Sequence, residues 1–312
     1  MNIGVETDSD SLPTIVKATP SQSLREIDPT NVIRVFKQSG ALLFRGFEVN
    51  SSLFCEFTAQ YGQDFGRIGG TLRTSANDAG SLFEVTEGTG DLEFHTELGH
   101  SPCRPDIVWF WCLNPATSGG ETLLLDGVEF ARALDNADLD SLKERPLEYS
   151  HRMPQIMWKS FFGIETRPQC EEYLLKAEGV RDVFFHRENV LTFKYVVPAI
   201  RQTRFGGARA FVNSILILTQ THDEVESDHP VKFSVDSDDE ESFSMSVAFE
   251  GGSEITNSVL SKLRRLAHQL SVRYQLQENE ILMIDNTRFQ HGRKSFQGNR
   301  QILSRYAHAA FS

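Results

Sequence analysis

Apolar and polar positions divide the chain into helical and extended stretches. Asp28-Pro29 reads as a helix N-cap with proline at the first helical position, and the run NVIRVFKQSG keeps helical spacing until Gly40 ends it. ALLFRGFEV, at 41–49, is a dense apolar run between turn residues and is predicted as a strand. Ser51 and Ser52 are predicted to cap a second helix, in which Leu53, Phe54, Phe57 and Tyr61 share one face before Gly62. Residues 63–93 are rich in Gly, Thr, Ser, Asn and Asp and read as loop with short strands.

From residue 94 the texture turns to β. DIVWFWCL (106–113) and TLLLDG (122–127) are strand-length apolar runs separated by NPATSGG. Phe130, Ala133, Leu134, Leu139 and Leu142 predict a helix over 127–145. Residues 150–205 read as short strands and turns, 208–219 as a strand, and 243–252 as a strand of period two. ITNSVLSKLRRLAHQLSVRY is the longest amphipathic helix. ENEILMIDN and RQILSRYAHAAF are two strands around the turn-rich HGRKSFQGN. Helices near both ends and many short strands between suit a mainly β, α+β fold. One sandwich or barrel core would then carry packed helices. No GxGxxG leads from a strand into a helix, and no GxxxxGK[ST] occurs, so nucleotide-binding motifs are absent.

Composition narrows the classes. The 312 residues include 23 Phe and 3 Trp, enough apolar surface to exclude disorder of the whole chain. There is no internal repeat and no linker of low complexity outside one acidic stretch, so a single domain is expected. Lys+Arg number 31 against 43 Asp+Glu, a net charge of −12, and no basic run concentrates positive charge, which argues against nucleic acid as partner. Residues 223–242 alone hold nine acidic residues and one lysine. Such a stretch reads as a solvated loop, or as a segment that recognises a cationic partner. Cys55, Cys103, Cys112 and Cys170 form no CxxC pair. The N-terminus has acid where a signal peptide needs a basic and then an apolar region, and no apolar run approaches the ~20 residues that span a bilayer. A cytoplasmic protein with reduced thiols and no membrane partner is expected.

Of the nine histidines, His95 alone has a carboxylate two residues away at an expected strand end, in His95-Thr96-Glu97. Residues i and i+2 share a strand face, so an imidazole nitrogen and a carboxylate oxygen would aim at one point. Those are two ligands of the facial triad of non-haem Fe(II) oxygenases, and a distant histidine would be the third. Alone, the spacing is more often that of a structural pair.

The surrounding residues are more specific. HTELGHSPCRPDIVWFWCLNPATSGGETLLLDG resembles the signature of the taurine/clavaminate-type Fe(II)/2-oxoglutarate-dependent dioxygenases: His-x-Asp/Glu, a proline-containing stretch, a strand, then Gly-Gly-Asp/Glu-Thr. Here Gly119-Gly120-Glu121-Thr122 is intact and Thr122 lies 27 residues after His95. IDNTRFQHGRKSFQGNRQIL resembles the second half of that signature, and GALLFRGF the opening strand; the resemblance covers about residues 30–312.

The resemblance implies a double-stranded β-helix (jelly roll) with flanking helices. It implies an N-terminal extension over 1–29, a lid and substrate insertion over about 128–206, and an acidic loop over 220–243. It implies His95, Glu97 and His291 as catalytic iron ligands, with positions left for 2-oxoglutarate and O2. Arg300 would meet the far carboxylate of 2-oxoglutarate through its planar guanidinium, supported by the Thr122 hydroxyl. Arg305 competes with Arg300, because residues five apart on a strand face opposite ways and only one can face the iron. Arg293 is a further candidate beside the iron, or else a surface charge. Glu97 argues against halogenation, which needs that carboxylate replaced. The implied reaction couples decarboxylation of 2-oxoglutarate, giving succinate, to oxidation of a C–H bond, by default hydroxylation. Desaturation or cyclisation would use the same residues. The substrate is expected to be a small polar, amino-acid-like molecule of specialised metabolism. Two other classes are weighed beside it. A Zn(II) hydrolase on the same ligands leaves Arg300 and the Gly-Gly-Glu-Thr unexplained, and a non-catalytic jelly-roll binding module forms no succinate.

His100 is expected in a loop, and His151 and His186 in the region that covers the site. His222 and His229 are expected to be solvated, His268 on the amphipathic helix, and His308 on the last strand.

Overall fold

A computed structural model describes residues 12–65, 82–85, 88–134, 139–220 and 243–312. The acidic stretch 223–242, with His222 and His229, lies outside the described residues, as do 66–81 of the expected loop and 135–138 of the expected helix over 127–145.

Two sheets face each other in a curled, strand-rich α+β jelly roll. The larger runs Thr14–Lys17, Ala41–Arg45, Ile281–Asp285, Ile107–Asn114, Gln301–Ala309 and Gly62–Gln63, with Phe83–Glu84 also on Gln301–Ala309. The smaller runs Val272–Tyr274, Thr122–Asp126, Phe289–Arg293 and Leu92–His95. Neighbours in both are antiparallel except Thr14–Lys17, which pairs parallel with Ala41–Arg45. Ile107–Asn114 reads as an unbroken apolar run because both its faces are buried. Val108, Phe110 and Cys112 pack toward the smaller sheet with Leu124, Ile284 and Phe289. Trp109 and Trp111 pack the other way, with Phe36, Phe54 and Phe57 of the two N-terminal helices.

Those helices form where local chemistry places them. Asp28 accepts the Thr30 N–H at 2.9 Å and starts Pro29–Ser39, which Gly40 ends at φ 73°, a conformation that favours glycine. The second helix, Ser51–Ala59, is capped by Asn50, whose Oδ1 accepts the Leu53 N–H at 2.9 Å, and not by the serines.

The middle of the chain departs most from expectation. A third sheet orders Val180–Phe185, Leu191–Pro198, Pro146–Met153 and Ser244–Phe249. Two helices, Gln155–Phe162 and Arg167–Lys176, stand where only strands and turns were expected. Their signals were present: Trp158, Phe161 and Phe162 lie at i, i+3 and i+4, and Gly163 adopts φ 63°. Residues 208–219 are not one strand. Arg209–Phe211 is followed by a turn in which Asn213 Oδ1 accepts the Ile215 N–H at 3.1 Å, and then by the helix Ile215–Leu218. The long amphipathic helix is Asn257–Leu270, and Val272–Tyr274 beyond it is a strand. Among the described residues no helix is long and apolar enough to cross a membrane.

Candidate metal centre

His95 ends the strand Leu92–His95 and sits opposite His291 of Phe289–Arg293 in register. Its Nδ1 lies 2.9 Å from the Glu93 carbonyl oxygen, which can only accept. Nδ1 therefore carries the hydrogen and Nε2 keeps its lone pair for a ligand bond. The ring centroids of His95 and His291 are 4.3 Å apart, and Phe110 meets His291 edge-on at 5.0 Å.

Glu97 reaches the same point by a route the strand pattern did not foresee. The chain leaves the strand after His95, and Glu97 lies in a turn in which Leu98 takes φ 53°. Asn286, fully buried, holds that turn from across the core. Its Oδ1 accepts the Glu97 N–H at 2.9 Å, and its Nδ2 donates to the carbonyls of Glu97 at 3.0 Å and Pro105 at 2.9 Å. Asn286 lies in the Asp-Asn of the second motif block, but the sequence assigned it no part in holding Glu97.

Ligand atoms of His95, Glu97 and His291 all lie within 4.8 Å of one another. Glu97 Oε2 stands 4.0 Å from His291 Nε2, too far for a hydrogen bond; neighbouring ligands that each reach ~2.0–2.2 Å to one ion lie ~3 Å apart, so the two side chains would draw together around a bound ion. Two imidazoles and a carboxylate are the donor set of non-haem Fe(II) sites, and among the described residues they form one mutually close metal-binding group.

A narrow cleft opens on this group and is lined also by Thr122, Arg293 and Arg300. The Arg300 guanidinium lies over the Phe296 ring, 5.6 Å from its centroid, with no hydrogen bond or ion pair among the described residues. Burial, and then repulsion from Arg293, pull its pKa down to about 10, so it stays charged at neutral pH. The adjoining Gly-Gly turn is sterically required. Gly119 has φ 67°, and a Cβ there would fall 2.1 Å from the Ser295 carbonyl oxygen; at Gly120 it would meet Arg300 Cδ at 3.1 Å.

Arg293 is no surface charge. It is buried, and its Nη2 donates to the carbonyls of Gly88 at 2.9 Å and Gly90 at 2.8 Å. Arg305 does not join the cleft. Its Nη1 donates to Thr58 Oγ1 at 2.5 Å and the Cys55 carbonyl at 2.7 Å, and its guanidinium covers the Phe65 ring at 3.6 Å. It therefore ties the last strand to the helix Ser51–Ala59. The register shift between Gln301 and Ile302 accompanies this separation of Arg300 from Arg305.

The remaining described histidines lie elsewhere. His151 Nε2 meets the His100 carbonyl oxygen at 2.9 Å, and burial holds both rings neutral, His151 at a pKa of about 4. His186 pairs with Thr192 Oγ1, His268 stands edge-on to Phe94, and His308 Nδ1 lies 3.4 Å from Asp106.

Two histidines and a carboxylate brought together inside a jelly roll point to a class, and the match to known families agrees with it. Residues 8–307 match the family described as "Taurine catabolism dioxygenase TauD, TfdA family". The chain belongs to that family and is a dioxygenase. A clavaminate synthase-like protein of Arabidopsis thaliana is 25% identical over 284 residues, covering 86% of this chain and 81% of that protein. The dapdiamide synthesis protein DdaC of Enterobacter agglomerans is 20% identical over 274 residues, covering 86% and 82%. Among solved structures, PvcB of Pseudomonas aeruginosa superposes with a TM-score of 0.57 at 14% identity, covering 95% of this chain and 86% of that one. It is described as an Fe, alpha-ketoglutarate dependent oxygenase from an isonitrile synthetic pathway.

Proposed function

We propose that the protein is an Fe(II)- and 2-oxoglutarate-dependent oxygenase that hydroxylates a small polar, amino-acid-like substrate of specialised metabolism. The observation that carries this reading is one cleft holding both His95, Glu97 and His291 and the uncompensated Arg300 cation. The donor set fits iron: two neutral imidazoles and one carboxylate balance part of a divalent charge and leave positions for other ligands. Bound there, the ion would supply activation of O2 and oxidation of a C–H bond.

The protein's own part is ligation, orientation and exclusion of water. Arg300 would take the far carboxylate of 2-oxoglutarate with two parallel hydrogen bonds, and Thr122, at the same wall, would add its hydroxyl. Phe110, Leu276 and Ile302 line the cleft with apolar surface, which limits water around the reacting groups. The segment at about 128–206 would cover the substrate as a lid. Relatives named for clavaminate synthase and for dapdiamide synthesis, and PvcB with its isonitrile pathway, support a place in specialised metabolism. Desaturation or cyclisation would run on the same residues.

The test is anaerobic addition of Fe(II) and 2-oxoglutarate to the purified protein. A weak visible charge-transfer band is expected, and it should be lost in His95→Ala and His291→Ala. Its absence from folded wild-type protein would overturn the proposal, as would hydrolysis by a Zn(II)-loaded form without any need for the keto acid.

A further inference from the structure

Phe296 meets both arginines of the cleft. The Arg293 guanidinium lies over its ring, 4.9 Å from the centroid, and the Arg300 guanidinium lies over it at 5.6 Å. Both distances fall inside the ~6 Å at which a ring face attracts a cation. The two cations are otherwise held differently. Arg293 Nη2 donates to the carbonyls of Gly88 and Gly90 at 2.9 and 2.8 Å. The Arg300 guanidinium has no hydrogen-bond acceptor among the described residues, so the ring and the packing of its own stem set where it points.

Phe296 itself is fixed from three sides. Its N–H donates to the Thr89 carbonyl at 2.9 Å, between the two glycines whose carbonyls hold Arg293. Phe296–Gln297 pairs antiparallel with Ser118–Gly119, and Phe296 stands opposite Gly119. A Cβ at position 120 would fall 3.1 Å from both Phe296 Cβ and Arg300 Cδ, so Gly120 lets the ring and the arginine stem pack together against the Gly-Gly turn. The ring is thus anchored while the arginine chain is long and rotatable. An arginine that must bind an anion loses rotamer freedom on binding unless the protein already holds it in place. An ion pair with a protein carboxylate would hold it, but would use its donors and offset its charge. A ring face holds the cation and leaves its N–H donors to a ligand.

We propose that Phe296 is a positioning residue for the co-substrate: its ring presents the Arg300 guanidinium to the far carboxylate of 2-oxoglutarate and thereby sets the preference for a keto acid that carries a second carboxylate. This rests on the oxygenase reading. Phe296 does not line the cleft, so it acts through Arg300. Its effect is therefore confined to ligands that reach Arg300, and a keto acid without the far carboxylate does not feel it.

The test is a pair of calorimetric titrations on full-length protein loaded anaerobically with Fe(II). One uses 2-oxoglutarate and the other 2-oxovalerate, the same chain with a methyl group in place of the far carboxylate. Wild type should bind 2-oxoglutarate more tightly. Phe296→Leu should cut that preference roughly 3- to 30-fold, by weakening 2-oxoglutarate while affinity for 2-oxovalerate stays. Phe296→Tyr keeps the ring face and should keep the preference. In an Arg300→Ala background, Phe296→Leu should change neither affinity. Should Phe296→Leu fail to fold, Phe296→Met takes its place in the comparison. A ringless variant that keeps the wild-type preference, or that loses both keto acids alike, overturns the assignment, and so does Phe296→Tyr behaving as Phe296→Leu. Wild-type protein that binds neither keto acid would instead bring down the oxygenase reading, and one that binds both alike the part given to Arg300; either takes the role of the ring with it.

Discussion

His95 and His291 are register partners on neighbouring antiparallel strands, their rings 4.3 Å apart, although 196 residues separate them in sequence (291 − 95). Sheet pairing itself therefore builds the two-imidazole half of the candidate site, and whatever sets the spacing of those strands sets the spacing of the two rings. After His291 the register shifts, and Arg293 pairs with Leu92.

Gly292 is the residue that permits this approach. A Cβ on it would fall 2.7 Å from the Leu92 carbonyl oxygen, on the strand that carries His95. Gly292→Ala must push the two strands apart. Unfolding in urea should show a loss of about 1–3 kcal/mol, and metal titration a weaker site. Binding and stability equal to wild type would mean that the strands tolerate the methyl and do not fix ligand spacing.

Asn286 fixes the turn that carries Glu97, the third member of the candidate metal site. Asn286→Ala leaves the Glu97 N–H and two carbonyls without their buried partners. Stability should fall by about 1–3 kcal/mol and metal affinity by roughly 10–100-fold. Asn286→Asp removes the donors but keeps an acceptor, so it should also fail. A calorimetric titration in which Asn286→Ala binds metal normally would show that the Glu97 turn holds itself.

What the sequence could disclose follows from how local each cause is. The cap at Asp28, the stop at Gly40 and the buried strand Ile107–Asn114 depend on neighbours in sequence, and the pattern placed them. The proximity of His95, Glu97 and His291 was reachable because the motif blocks preserve it, but its mechanism was not strand alternation. Glu97 lies in a turn held by a side chain from the other sheet, and no spacing rule contains that contact. The helices at Gln155–Phe162 and Arg167–Lys176 were missed because the first is a short apolar run that suits helix or strand alike, settled by packing of Phe162 on Phe193, and the second is mostly polar, with only Cys170 and Leu174 turned into the core.

Arg300 and Arg305 should separate cleanly. Arg300→Ala removes a cation that has no partner in the described structure, so stability should change little while affinity for 2-oxoglutarate falls by roughly 30-fold or more. Arg300→Lys should recover only part, since an ammonium lacks the planar fork. Arg305→Ala should leave 2-oxoglutarate affinity alone and lower stability, because it cuts the bonds to Cys55 and Thr58 and uncovers Phe65. Quenching of the charge-transfer titration, read beside urea midpoints, distinguishes the two. The opposite pattern would place Arg305 at the co-substrate and overturn the assignment.

The Asp106–His308 pair should give stability a pH dependence remote from the metal centre. The Asp106 hydrogen bond raises the His308 pKa above its ordinary 6.5 despite partial burial; Asp64 adds to the rise and Arg204 opposes it. Burial alone would raise Asp106, but His308, the Ala309 N–H and Arg204 together hold it below its ordinary 3.8. The signs follow from linkage. A histidine with a raised folded pKa stabilises fully below pH 6.5 and loses that contribution as pH climbs through the folded value. An aspartate with a lowered folded pKa stabilises above pH 3.8 and loses it as pH falls through the folded value. The pair therefore contributes across the mildly acidic range, and its contribution declines on the alkaline side. Urea midpoints measured from about pH 5.5 to about pH 9 should fall with a slope that His308→Gln flattens. An identical slope in wild type and His308→Gln would assign the pH dependence to other groups and leave the pair without a measurable share in stability.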